Sequence, residues 1–204
     1  MTHTLHRRGT EENLSGDFPM LSMAAQGFNT EGSREKLQQY LKIAMRHNPA
    51  NLGEMKFGNM YSHGADAVIE NASGIVHALF DNEAAVVAFM KDLKAADLGL
   101  SVVISGLFSA VQRCAAQAGL KPHTIEYSLG IWGNTDRLPE DEILEVTTMC
   151  GHGMLSSNLV KELIEDIKSG AKTPDAAAKQ LAASCCCGVF NPTRAAQLLA
   201  AAAR

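Results

Sequence analysis

Leu100-Ser101-Val102-Val103-Ile104-Ser105 lies between Gly99 and Gly106 as an unbroken run of strand-forming residues. The run carries no charge, and its pattern is that of a strand buried on both faces. Before it, Val86, Phe89, Met90 and Leu93 recur at helical spacing behind Asp81 or Asn82, either of which is a suitable N-cap. After it, Leu107 to Ala118 reads as a helix and Thr124 to Trp132 as a further strand. Upstream, Ala67–Glu70 and Gly74–Phe80 are two β-like runs joined by Asn71-Ala72-Ser73, which predicts a hairpin. Asp17 to Ala24 predicts a strand that Pro19 would place at a sheet edge. Ser33 caps a helix reaching about Arg46, with Leu37, Leu41 and Met45 on one stripe and Asn48-Pro49 as its stop. The Gly- and Asn-rich stretch from Asn51 to Gly64 reads as a long loop.

This order predicts an α/β (α+β) fold: a two-layer sheet with packed helices, compatible with a ferredoxin-like split βαβ arrangement. From Leu138 onward the strand signals stop. Pro139 and the acids Glu140, Asp141 and Glu142 open one helix, and Leu155, Leu159, Leu163, Ile164 and Ile167 mark another that Gly170 ends. Thr173-Pro174 and Asn191-Pro192 each place a capping residue before a proline at the first helical position. Residues 1–133 are therefore expected to form the α/β domain, and residues 134–204 a helical, cysteine-rich, metal- or cluster-binding subdomain.

Composition narrows the function classes. A net charge of −4 and a 5% aromatic content argue against a nucleic-acid partner, which needs a basic face or stacking platforms. No apolar run approaches the roughly 18 residues of a membrane span. Met1 to Gly9 carries His3, His6, Arg7 and Arg8 with no apolar segment behind them, so neither a membrane partner nor a secretory signal is expected. A cytoplasmic location follows as the expectation, with the five cysteines reduced.

Four of these cysteines fall at helix junctions of the tail. Cys150 opens the turn Cys150-Gly151-His152-Gly153, and Cys185-Cys186-Cys187 precedes Gly188 just before Asn191-Pro192. Thiolates gathered at turns, near free backbone N–H groups, suit soft metals. Cys150 with two or three of Cys185, Cys186 and Cys187 supplies the sulfurs for an iron–sulfur cluster, a 4Fe-4S cluster first, with Cys150, Cys185 and Cys187 as the metal ligands. His152 is then the nearest proton donor or extra ligand, the residue assigned to catalysis if an open iron serves a lyase-type reaction. Zinc could instead take Cys150, His152, Cys185 and Cys187 as Cys3His. A third possibility is a sulfur-handling or redox-sensing thiol, with Cys186 or Cys187 as nucleophile. The commonest role of a lone cysteine is core filler, and Cys114 is assigned to it. Three consecutive cysteines cannot all face one core.

Cys150 followed by Cys186-Cys187-Gly188 resembles the start of the cysteine-rich CCG motif of heterodisulfide reductase-like subunits. The resemblance covers only the helical tail, and the later Cys-x-x-Cys of that motif does not follow here. It implies iron–sulfur chemistry for these cysteines. Expected partners are a small-molecule anion or a redox protein, and oligomerisation is open. Among weaker signals, the His3–Arg8 run suits a carboxylate or phosphate, and Ser105-Gly106 lies where a strand–helix turn can bind an anion. His47, His63, His77 and His123 share no metal spacing, although the strand expected after His123 leads towards the cysteines. Trp132 before Gly133 is expected as a core or interface anchor.

Overall fold

A computed structural model describes residues 4–204, so His3 lies outside the described residues. The chain runs α1 (Glu11–Leu14), β1 (Phe18–Met23), α2 (Ser33–Met45), β2 (Asn51–Glu54), β3 (Gly58–Asn59), α3 (Met60–His63), α4 (Ala65–Asn71), β4 (Ile75–Phe80), α5 (Glu83–Ala96), β5 (Ser101–Ile104) and α6 (Phe108–Gln117). Four helices follow a 3-10 turn at Thr135–Arg137: α7 (Asp141–Thr147), α8 (Ser157–Lys168), α9 (Pro174–Ser184) and α10 (Pro192–Ala202). The two-layer α/β expectation holds.

The strand order is β3-β2-β4-β1-β5, with every neighbouring pair antiparallel. β1 and β2 therefore run parallel on either side of β4, and β4 and β5 on either side of β1. These are two interleaved split βαβ units, closed by α2 and α5, with β3 added at one edge. Period-2 alternation sends Phe18, Met20, Leu52, Val76, Ala78 and Phe80 to one face. There they are buried against Leu37, Tyr40, Leu41 and Phe89 of α2 and α5. Edge-to-face packing of Tyr40 on Phe89, at 5.2 Å between ring centroids, closes the centre of this core.

Several sequence expectations are corrected. β5 is an edge strand and not a strand buried on both faces: Val102 and Val103 are each 38% exposed. β1, expected at an edge because of Pro19, lies inside the sheet. Pro19 fits because its carbonyl, which accepts from Ser105 N at 2.9 Å, points towards β5, and in a strand the missing N–H would point the same way. The ladder with β5 starts at Met20, so the one bond that the missing N–H forgoes falls at its very end. Ala67–Glu70 is helical, within α4, because Val68 and Ile69 must both enter the core, which a strand's alternation forbids. The expected loop from Asn51 to Gly64 holds β2, β3 and α3. The expected strand from Thr124 to Trp132 forms no regular element and is exposed throughout.

The helical tail has its own apolar cluster, in which Val146, Met149, Leu163, Leu181, Phe190 and Leu199 surround Cys150, Cys185 and Cys187. Met55 and Tyr61, from the sheet half of the chain, pack against this cluster. Thr173 and Asn191 cap α9 and α10 as expected, accepting from Ala176 N and Arg194 N.

Candidate metal centre at the seam

The site begins with two glycines. Gly53 of β2 and Gly188 of the cysteine turn press backbone on backbone, so closely that a Cβ on Gly188 would lie 2.5 Å from Gly53 N. A Cβ on Gly53 would meet Cys187 O at the same separation. Gly188 also has φ +76°, the left-handed region where a side chain is strained. This contact lays Cys185–Cys187 directly over the sheet.

Asparagines lock the seam. Asn51 Nδ2 donates to Phe190 O at 3.0 Å. Asn59 Nδ2 donates to Ala182 O at 3.0 Å and Cys185 O at 2.6 Å, satisfying carbonyls left open at the end of α9. The Asn59 Oδ1 meanwhile caps α3 by accepting from Tyr61 N and Ser62 N. Neither asparagine is evident from sequence, because their partners lie more than a hundred residues away. The one local signal is that both stand in a stretch rich in turn residues.

From the other side, Arg7 ties both cysteine turns together. Its Nη2 donates to Met149 O at 2.9 Å, beside Cys150, and to Val189 O, two residues beyond Cys187. Its Nη1 donates to Asp17 Oδ1, and Arg194 Nη1 donates to Asp17 Oδ2 at 3.2 Å. The carboxylate suited to the N-terminal cationic run is thus the chain's own. Arg8 pairs with Asp141 at 2.8 Å, and Ser105 Oγ is hydrogen-bonded to Thr4 Oγ1 at 2.7 Å.

These elements bring together all the predicted tail residues. Cys150, Cys185 and Cys187 are buried and Cys186 is half-buried, all as free thiols. Cys185 Sγ and Cys187 Sγ stand 3.9 Å apart, and Cys187 Sγ lies 3.5 Å from His152 Nδ1. Cys150 hydrogen-bonds to Cys185. The groups thus form a chain of pairs, Cys150 to Cys185 to Cys187 to His152. Among the described residues, no three His, Cys, Asp or Glu side chains already stand in position to hold one metal ion. Cys114 is buried apart from them in the sheet core, as expected. His123 is exposed and hydrogen-bonded to Thr124, and His47 pairs with Asp92 at 2.9 Å. His63 bonds Ser62, and His77 is buried in β4.

Three of these thiols, Cys150, Cys185 and Cys186, are held above the usual thiol range. The hydrogen bond to Cys185 and then burial push Cys150 far above the usual thiol range, against the backbone N–H groups of His152 and Met154, which favour its thiolate. For Cys185 the bond from Cys150 acts downward, but the bond to Cys187 and burial outweigh it and push the group up to about 12. Burial also raises Cys186. A raised thiol pKa means the folded chain holds protons that the unfolded chain gives up, so stability falls as pH rises. The metal-free protein is therefore expected to lose stability from about pH 9, the ordinary thiol value, towards pH 12. Urea midpoints measured across that range check it. A flat profile would mean that the folded thiols titrate normally.

The chain matches no family model, no curated protein and no solved structure. Its class rests on its own residues: an interleaved split βαβ sheet whose outer face carries a cysteine-lined helical tail.

Proposed function

We propose that the chain holds a single metal ion, zinc before others, between Cys150, His152, Cys185 and Cys187, and that this ion staples the helical tail to the sheet. The supporting observation is the pair of separations. A tetrahedral zinc with bonds of about 2.3 Å to sulfur and 2.0 Å to nitrogen places neighbouring sulfurs about 3.8 Å apart, and sulfur and nitrogen about 3.5 Å apart. The contacts at 3.9 Å and 3.5 Å match both edges. A four-iron cubane binds each thiolate on a different iron and needs its sulfurs wider apart, so the contact between Cys185 and Cys187 favours one ion. Binding exchanges S–H contacts for metal bonds, with Cys150 closing on the other three, and each of the three thiols releases its proton as it becomes a ligand. Four protein ligands, the three sulfurs buried and His152 partly so, leave no open position and suit a structural role. The raised pKa of Cys186 weighs against an activated nucleophile.

An iron–sulfur centre with a redox or open-iron lyase role is the second reading, favoured by Cys186, whose electrostatic coupling to Cys150 adds a fourth sulfur to the group. Metal and sulfide analysis of anaerobically isolated protein separates the two. Colourless protein with one zinc per chain is expected. Brown protein with stoichiometric iron and sulfide would replace the single ion by a cluster, and protein that takes up neither metal would remove both. Cys150→Ser and Cys187→Ser are each expected to abolish stoichiometric zinc, while Cys114→Ser retains it. His152→Ala should weaken zinc by more than the ~10–100-fold typical of an outer-shell change. A smaller loss would move His152 out of the ligand set.

A further inference from the structure

We propose that the chain forms a closed homodimer in which Thr124–Trp132 of one protomer pairs with the free edge of β5 in its partner, extending both sheets. Three observations carry this independently of any metal.

The first is the edge itself. Beyond β5 no strand follows among the described residues, so its outer N–H and C=O groups face outward. Open edges are normally guarded by charge, proline, bulges or brevity. The opposite edge, β3, has two residues, whereas β5 is Ser101-Val102-Val103-Ile104, without charge or proline. Beside it the uncovered sheet face forms a groove of about 530 Å³ lined by Leu21, Met23, Ile75, His77 and Val103.

The second is the segment. Ile125, Tyr127, Leu129 and Ile131 alternate with Glu126, Ser128 and Gly130, the period-2 pattern of a strand with one buried face. Yet the segment forms no regular element and is exposed, with Tyr127 at 71%, Leu129 at 77% and Trp132 at 83%. It has the pattern of a strand and pairs with no strand among the described residues. Glu126 reaches the rim of the groove, so segment and edge lie on the same side of the molecule.

The third is area. Ile125, Tyr127, Leu129, Ile131 and Trp132 together expose on the order of 700 Å² per chain, close to the ~800 Å² per partner of a stable interface. A two-fold axis uses the segment and edge of each protomer once, which closes the assembly.

Sedimentation equilibrium of the full chain at micromolar concentration tests this. The expected mass is twice 21.8 kDa. Leu129→Glu and Val103→Lys should each give a monomer with an unchanged far-UV spectrum. Their equimolar mixture should regain dimer, because one interface is then native and the other pairs Glu with Lys. Emission from Trp132, the single tryptophan, should shift to the red in each monomeric variant. Leu129 is exposed, so its substitution cannot act by emptying the core, and it keeps the test valid if Val103→Lys fails to fold. A wild-type monomer, a dimer that survives Leu129→Glu, or open-ended polymers would each overturn the proposal.

Discussion

Gly188→Ala is expected to remove about 4 kcal/mol or more of stability, a large share of the 5–15 kcal/mol that holds a domain folded. Two costs combine. A side chain at φ +76° is strained by about 1–2 kcal/mol. The added Cβ also meets Gly53 N at 2.5 Å and Leu52 C at 2.6 Å, backbone atoms in a paired strand that cannot rotate aside as a side chain would. Overpacking of this kind costs roughly 1–3 kcal/mol, more where nothing yields. Gly153→Ala is the internal control. Its φ of +67° carries a similar strain, but a Cβ there meets nothing within 4 Å, so only the conformational cost should appear. Urea midpoints of the two variants decide the matter. Equal losses would mean that the seam between sheet and tail is looser than the Gly53–Gly188 contact requires.

Asp17→Asn should cost about 3–5 kcal/mol, because it leaves two guanidinium groups in the interior without their shared counter-ion. Asp17 is buried and takes Arg7 on one oxygen and Arg194 on the other, with Asn191 Nδ2 adding a bond at 3.1 Å. Burial already lowers the pKa of Arg194, and the charge of Asp17 is the largest influence opposing that. The neutral amide keeps the volume but removes that opposition. It also presents an NH2 group where one guanidinium now donates. Asp141→Asn breaks the pair with Arg8, but the Asp141 side chain is largely exposed and little change is expected. Asp17→Asn should weaken zinc uptake as well, since Arg7 holds the carbonyls beside both cysteine turns. Full stability in Asp17→Asn would show that the arginines find other partners or water.

Much of this architecture is legible because local signals and tertiary demands agree. Asn82 caps α5 through Ala85 N, Thr173 and Asn191 precede prolines that start helices, and Leu37 and Leu41 mark the buried stripe of α2. The misreadings share a cause. Asn51-Leu52-Gly53-Glu54 has poor strand propensity and pairs because its glycine must face Gly188 and its asparagine must reach Phe190. Val68 and Ile69 favour a strand locally, yet the core needs both on one side. At the site, the cysteines and His152 are visible through spacing and turn chemistry. Asn59, Arg7 and the Gly53–Gly188 contact are not, since each acts on residues far along the chain.

The tie between Arg7, Asp17 and Arg194 also has a consequence in time. Asp17 and Arg194 are 177 residues apart, so one partner emerges from the ribosome long before the other. At ~5–20 residues per second that interval is roughly 9–35 s. Throughout it Asp17 is without Arg194, and near its end the turn that begins at Cys150 waits a further 35 residues, roughly 2–7 s, for the Cys185–Cys187 turn it must meet. The thiol cluster therefore assembles late, well after the strands of the sheet have been made. Its cysteines face the surrounding redox conditions and the available metal as separate, solvated groups until both turns are made together with α10, whose Arg194 completes the tie to Asp17.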